Sequence, residues 1–153
     1  MPSTLAEGRA THPEQTLMHA EAGDAANAAA RFLTGNAETL ARIAARLRAT
    51  PPAFVATCAR GSSDHAATYG KYLFETLIGI PTASAAPSVA SIFTAPLRAR
   101  GALCIAISQS GRSPDLLRTV EAYKTAGAFT VAVVNDAASP LASLTDETLL
   151  LHA

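Results

Sequence analysis

At 153 residues and 15.7 kDa the chain is the size of one domain, able to bury roughly 70% of the surface that its extended form exposes. Its 12 Lys and Arg balance 12 Asp and Glu for a formal charge of zero, with lysine only at Lys71 and Lys124. That excludes the clustered cations on which polynucleotide binding depends. No apolar run approaches the roughly 20 residues that cross a bilayer, and the amino terminus lacks a charged-then-apolar leader pattern, so a soluble, cytoplasmic protein without membrane contact is expected.

Residues 1–13 show no periodicity and are expected to fray or to lie on a partner. From Glu14 to about Arg31 the pattern is helical, with Phe32 and Leu33 at its end and Gly35 as its stop. A second helix is expected over Ala37 to Arg48, carrying Leu40, Ile43, Ala44 and Leu47 on one stripe and Arg42, Arg46 and Arg48 largely on the other. His12 and His19 read as surface residues. Thr50-Pro51-Pro52 ends that helix, and Ala53 to Cys58 is the first strand. It runs into Ala59-Arg60-Gly61-Ser62-Ser63-Asp64 and a helix whose expected inner face is Ala66, Tyr69, Leu73, Thr76 and Leu77. Gly79 closes this helix, and Pro81 forbids its continuation. A short strand over Thr82 to Ala85, a short helix from Pro87 to Ser91, and a loop from Thr94 to Arg100 holding Arg98 and Arg100 come next.

The central strand, Ala102 to Ile107, is an aliphatic run of the kind buried on both faces. Ser108-Gln109-Ser110-Gly111-Arg112-Ser113-Pro114-Asp115 follows. Ser113 stands where an N-cap hydroxyl belongs, Pro114 at the first helical position, and Asp115 beside the positive end of the macrodipole. The helix carries Leu116, Leu117, Val120, Tyr123 and Ala126 inward and ends at Gly127. Ala128 to Val134 is the fourth strand, Asn135-Asp136 a turn, Ser139-Pro140 the cap of a short helix through Leu144, and Glu147 to Leu151 the fifth strand. Strand and helix alternate without a hairpin signal. The expected class is therefore α/β, a three-layer αβα sandwich around a five-stranded parallel sheet. Residues 1–50 form its amino-terminal tail and helices, and 51–153 the sheet domain, which reads as cut off before a further connection. Cys58 and Cys104 fall in interior strands as reduced hydrophobes, with no disulfide or metal role.

Both serine-bearing turns connect a buried strand to a helix. Small hydroxyls, a glycine and outward N–H groups in such a turn cradle an anion, although Ser and Gly also serve there merely as caps. Two such turns at the carboxyl ends of strands in one open parallel sheet favour convergence on a single ligand, and a phosphate monoester fits that chemistry best. A dinucleotide site is disfavoured, since the first turn lacks Gly-x-Gly-x-x-Gly and no acidic residue follows the second strand.

The segments from Arg60 to Ala67, Ala85 to Ser88, Ile107 to Asp115 and Val134 to Asp136 resemble the sugar isomerase (SIS) domain family. They are most similar to the first of the two SIS domains in stand-alone glucosamine-6-phosphate deaminase or isomerase proteins, which are related to the isomerase half of glucosamine-6-phosphate synthase. The resemblance implies a flavodoxin-like SIS fold and interconversion of glucosamine 6-phosphate and fructose 6-phosphate. It also implies a hexose or hexosamine 6-phosphate held by Gly61, Ser62, Ser63, Ser108, Gln109, Ser110, Gly111 and Ser113. The synthase usually has Glu in place of Arg112; here the arginine either joins the phosphate contacts or projects into solvent. No cofactor or metal is implied. Proton transfer between C1 and C2 needs a positioned base, which the resemblance places in a second SIS domain, its tail or a neighbouring subunit. His65 is a weak local candidate, and Glu75 reads as structural. A homodimer or a pairing with a second SIS domain is therefore expected. The alternative is a non-catalytic phosphosugar-sensing module of a regulator, but residues 1–50 show no DNA-reading helix.

Overall fold

Five short runs of small, β-branched and aliphatic residues form the sheet: β1 Val55–Ala59, β2 Thr82–Ser84, β3 Leu103–Ser108, β4 Phe129–Val134 and β5 Glu147–Leu150. All neighbours pair in parallel, in the order β2-β1-β3-β4-β5. The computed structural model describes residues 16–93 and 96–152. The tail over 1–13 with His12, the helix start at Glu14, and Thr94 lie outside the described residues.

Alternation along each strand divides the core into two layers. In β4, Phe129, Val131 and Val133 face one layer with Val55, Leu103 and Leu149, whereas Ala132 and Val134 face the other with Cys58, Cys104 and Ala106. The first layer is closed by Phe32 of α2 (Ala25–Gly35) and by Leu40, Ile43 and Leu47 of α3 (Ala37–Ala49), on the expected stripe. The second is closed by Leu116 and Val120 of α6 (Pro114–Thr125) and Leu141 of α7 (Pro140–Leu144), with α5 (Pro87–Ser91) lying against α6. Full burial of Leu116 or Val120 is worth about 1.5–3 kcal/mol each. The three-layer αβα sandwich is thus present, with its helices on both faces.

Two expectations need correction. The first helix is not continuous: α1 (Leu17–Gly23) and α2 are separated at Asp24. Gly23 weakens helical continuity. The Asp24 N–H closes the last turn of α1 onto Ala20 O at 3.0 Å, while its carboxylate accepts from Asn27 at 2.8 Å and Arg31 at 2.7 Å in α2. The face of α4 (Ser62–Leu73) is also rotated from the expected one. Ala67, only 2% exposed, is its one buried residue among those described, whereas Tyr69 is 67% and Leu77 78% exposed. Two stripes offset by one residue run along this helix. The small one, through Ser63 and Ala67, meets the sheet, and a π-helical turn over Phe74–Ile78 brings Phe74 into the first core layer. The large apolar stripe is left outside.

The start of β5 is fixed electrostatically. Burial pushes the Asp146 carboxyl up, but the Thr130 N–H and hydroxyl, both at 2.8 Å, and the Lys124 ammonium at 3.1 Å outweigh it and hold it below its ordinary value. A carboxyl lowered by folding contributes stability above its unfolded value and loses it as pH falls through the folded one. Asp146→Ala leaves the buried Thr130 N–H without an acceptor and is expected to cost about 1–3 kcal/mol in urea unfolding at pH 7. The difference from the parent chain should narrow below about pH 4.

Candidate functional site

The order β2-β1-β3-β4-β5 places the topological switch between β1 and β3, because the chain leaves β1 toward one edge and β3 toward the other. Both serine turns stand at this switch. The register pairs Cys58 with Ala106 and Ala59 with Ile107, so the two strands end level and their turns emerge side by side. Across the gap, Arg60 Nη2 of the first turn meets Asp115 Oδ2 at the start of α6 at 2.9 Å. The sequence reading did not anticipate that link. Its signal is local: Arg60 lies one residue past a strand end, and Asp115 is the first acidic residue after the neighbouring strand.

Gly61 opens the first turn at φ 59°, a backbone that side chains resist, and lets the helix begin at Ser62. Ser62 is exposed and Ser63 half-buried in its first turn, where N–H groups lack helical acceptors. The second turn is held more tightly. Ser108 is buried, and its Oγ accepts the Gly111 N–H at 3.1 Å, so its oxygen is spent on shaping the loop. Gly111 adopts φ 64° directly beneath α7, where an added Cβ would stand 2.5 Å from Ser139 Oγ. Its carbonyl accepts the Leu141 N–H at 3.2 Å, and that of Gln109 accepts the Asn135 N–H at 3.1 Å. Gln109 and Ser110 are exposed at the rim and Ser113 is half-buried. Ser113 occupies the N-cap position of α6 without using its hydroxyl as a cap, and Asp115 Oδ1 accepts the Leu116 N–H instead. The Ser113 hydroxyl is thereby left available to a ligand.

Arg112 reaches from the exposed rim to the next connection. Its Nη2 binds Asp136 Oδ2 of the β4–α7 turn at 2.8 Å. That guanidinium, with the Ala138 N–H, holds the Asp136 carboxyl below its ordinary value. His65 is exposed on the first turn of α4, and Glu75 Oε1 accepts the Thr82 N–H at 3.1 Å, a structural tie between the π-helical turn and β2. Beside the first turn a groove of about 370 Å³ runs past Ala59, Arg60, Gly61 and Asp64 to Ser84 and Ala85 of the β2 end. On the other side Gln109 and Asn135 line a cavity of about 210 Å³ together with Asp24 and Arg31 of the amino-terminal helices. Behind the site both cysteines are free and buried. Burial, with Asp115 nearby, pushes the Cys58 thiol up to about 12, so it is an inert part of the core. Among the described residues no cluster of His, Cys, Asp and Glu could hold a metal ion, and no helix is long and apolar enough to cross a membrane.

This arrangement of paired turns coincides with a family match over residues 55–153, to the SIS domain. The chain belongs to the SIS domain family. Within this family it is similar to glutamine–fructose-6-phosphate aminotransferase [isomerizing] of Thermus thermophilus, 37% identical over 95 residues that cover 61% of this chain and 15% of that protein. A solved structure of a candidate phosphosugar isomerase from Silicibacter pomeroyi is 49% identical with a TM-score of 0.86, covering 89% of this chain and 42% of that one. The SIS fold is shared also with glucosamine-6-phosphate deaminase of Thermotoga maritima, at 25% identity and a TM-score of 0.60, over 70% of this chain and 34% of that one. The chain therefore spans less than half the length of these relatives.

Proposed function

We propose that this chain is the sugar-phosphate-binding half of an aminosugar-phosphate isomerase or deaminase, acting on glucosamine 6-phosphate or fructose 6-phosphate. The observation that carries this reading is the pair of serine turns at the level ends of β1 and β3. A phosphate monoester brings about 1.5–2 negative charges and three acceptor oxygens. Ser63, Ser110 and Ser113 supply hydroxyl donors, the first turn of α4 supplies N–H groups at the positive end of its dipole, and Ser108 and Gly111 set the loop that presents them. Arg60 and Arg112 flank the site with their charges balanced by Asp115 and Asp136, so the phosphate is held by hydrogen bonds more than by net charge.

A proton shuttle between C1 and C2 needs a group beyond these donors. Glu75 is committed to Thr82, and the titratable side chains on the first turn of α4 are Asp64 and His65. The base is accordingly assigned to a second SIS unit, either in the same polypeptide or in another copy. The outward stripe of Tyr69, Tyr72, Leu77 and Ile78, all more than half exposed, supports association through α4 and the π-helical turn that follows it, since contiguous exposed apolar surface marks contact sites. Thermal unfolding with and without each sugar phosphate tests the binding step. Both ligands should raise the melting temperature of the parent chain, and Ser63→Ala with Ser110→Ala should remove the shift while leaving the unliganded melting temperature nearly unchanged. An undiminished shift in the double variant would overturn the assignment of the turns. Ligand binding without turnover when a second SIS unit is supplied would favour the sensing module.

A further inference from the structure

At the amino ends of the strands, opposite the serine turns, lies a cavity of about 530 Å³ lined by Arg46, Leu47, Thr50, Pro52, Arg100 and Phe129 among others. Its charge is one-sided. The sequence holds no acidic residue between Glu38 and Asp64 or between Glu75 and Asp115. The carboxylates that open β5 are already taken: Asp146 by Lys124 at 3.1 Å, and Glu147 by both nitrogens of an Arg42 fork at 3.1 and 2.9 Å. Among the described residues no carboxylate lines the cavity, and Arg46, Arg48, Arg98 and Arg100 make no ion pair. Arg46 is moreover held in place, its guanidinium carbon 4.1 Å from the centroid of the buried Phe129 ring. A guanidinium resting over an aromatic face loses less freedom on binding than one in open solvent and can still present N–H groups to an oxyanion.

We propose that this cavity binds a small organic phosphate, at a site separate from the serine turns. Two arginines, Arg46 and Arg100, line one concavity, and a guanidinium fork matches phosphate oxygens in bidentate geometry. Leu47, Pro52 and Phe129 offer apolar wall to an organic substituent, and the Thr50 hydroxyl adds a donor. The uncompensated positive charge favours a dianion over a monoanion. The inference stands independently of the proposed activity, because it uses no residue of either serine turn.

The test is a titration of the whole chain with phenyl phosphate, inorganic phosphate and benzoate, followed by amide chemical shifts. Phenyl phosphate is expected to move the amides of Gly101, Ala102 and Gly127 and to bind more tightly than the other two. Arg100→Gln, at an exposed position, should weaken it about tenfold without changing the melting temperature. Arg46→Gln should weaken it similarly, and the Ser63→Ala, Ser110→Ala double variant should bind it unchanged. Unmoved amides at millimolar phenyl phosphate, or equal affinity in Arg100→Gln, overturn the site. Equal affinity for benzoate or inorganic phosphate overturns the ligand class. Loss of binding in the serine variant alone places the ligand at the opposite end and also overturns the proposal, while leaving the sugar-phosphate reading intact.

Discussion

Gly111→Ala is expected to destabilise the domain by about 3 kcal/mol and to abolish protection by sugar phosphates. Two costs combine. At φ 64° an alanine sits in the left-handed region, at about 1–2 kcal/mol. Its Cβ would also stand 2.5 Å from Ser139 Oγ and 2.6 Å from Ser139 Cβ, and overpacking of a closed site costs about 1–3 kcal/mol more. Neither neighbour can yield easily. Ser139 is fully buried, its hydroxyl caps α7 by accepting the Ala142 N–H at 3.3 Å, and the Gly111 carbonyl is tied to Leu141 at 3.2 Å. A shift of the loop would break the Ser108 to Gly111 hydrogen bond and misplace Ser110 and Ser113. Adding Ser139→Gly to the variant should restore part of the stability by removing the clash, while the backbone cost remains. Urea unfolding reads the first effect and ligand-induced melting shifts the second. A Gly111→Ala protein of parental stability would mean that the turn is not braced by α7.

Much of this was legible in the sequence because the relevant signals are local. Strand, turn and cap chemistry sit within a few residues of one another around Ser108 and Ser63, and alternation of strand with helix leaves parallel pairing as the consistent solution. What escaped were choices made between distant segments. The helix α4 carries two stripes, and periodicity alone favours the more hydrophobic one. The sheet instead accepts the small residues around Ala67, because the turn at Gly61 sets the helix phase. Arg112 has a partner 24 positions away, Asp136, and Arg60 reaches Asp115 from a neighbouring connection. Each pairing depends on how neighbouring connections meet across the sheet, although Arg60 and Asp115 both stand close to strand ends. Ser139 was readable as a cap, yet its contact with Gly111 depends on how α7 returns over the sheet. The site's scaffold is thus written locally, while its charge balance is set by tertiary structure.

The residue that escaped most completely is Asn36, and its replacement by alanine is expected to cost about 3–5 kcal/mol, near the top of the range for a single substitution. Asn36 joins α2 to α3 and is only 4% exposed. Its Nδ2 donates to Phe32 O at 2.7 Å and to Leu150 O at 2.8 Å, and its Oδ1 accepts the Leu150 N–H at 2.9 Å. One side-chain amide therefore pairs the outer edge of β5 as a sixth strand would, closing an edge that otherwise exposes unpaired backbone groups. Alanine leaves the Leu150 N–H and carbonyl without partners, while Phe32 O keeps the backbone N–H of residue 36 at 3.1 Å. Asn36→Asp is the sharper probe: it keeps an acceptor for the Leu150 N–H but turns a second oxygen toward two carbonyls, so it should be no better than alanine at neutral pH. Hydrogen exchange at Leu150 should accelerate in both variants well before exchange in β3 does. A loss below about 1 kcal/mol in Asn36→Ala would mean that water replaces the amide. The helix α2 would then be held to the sheet mainly by Phe32, and the cavity that Arg31 lines with Gln109 would tolerate its loosening.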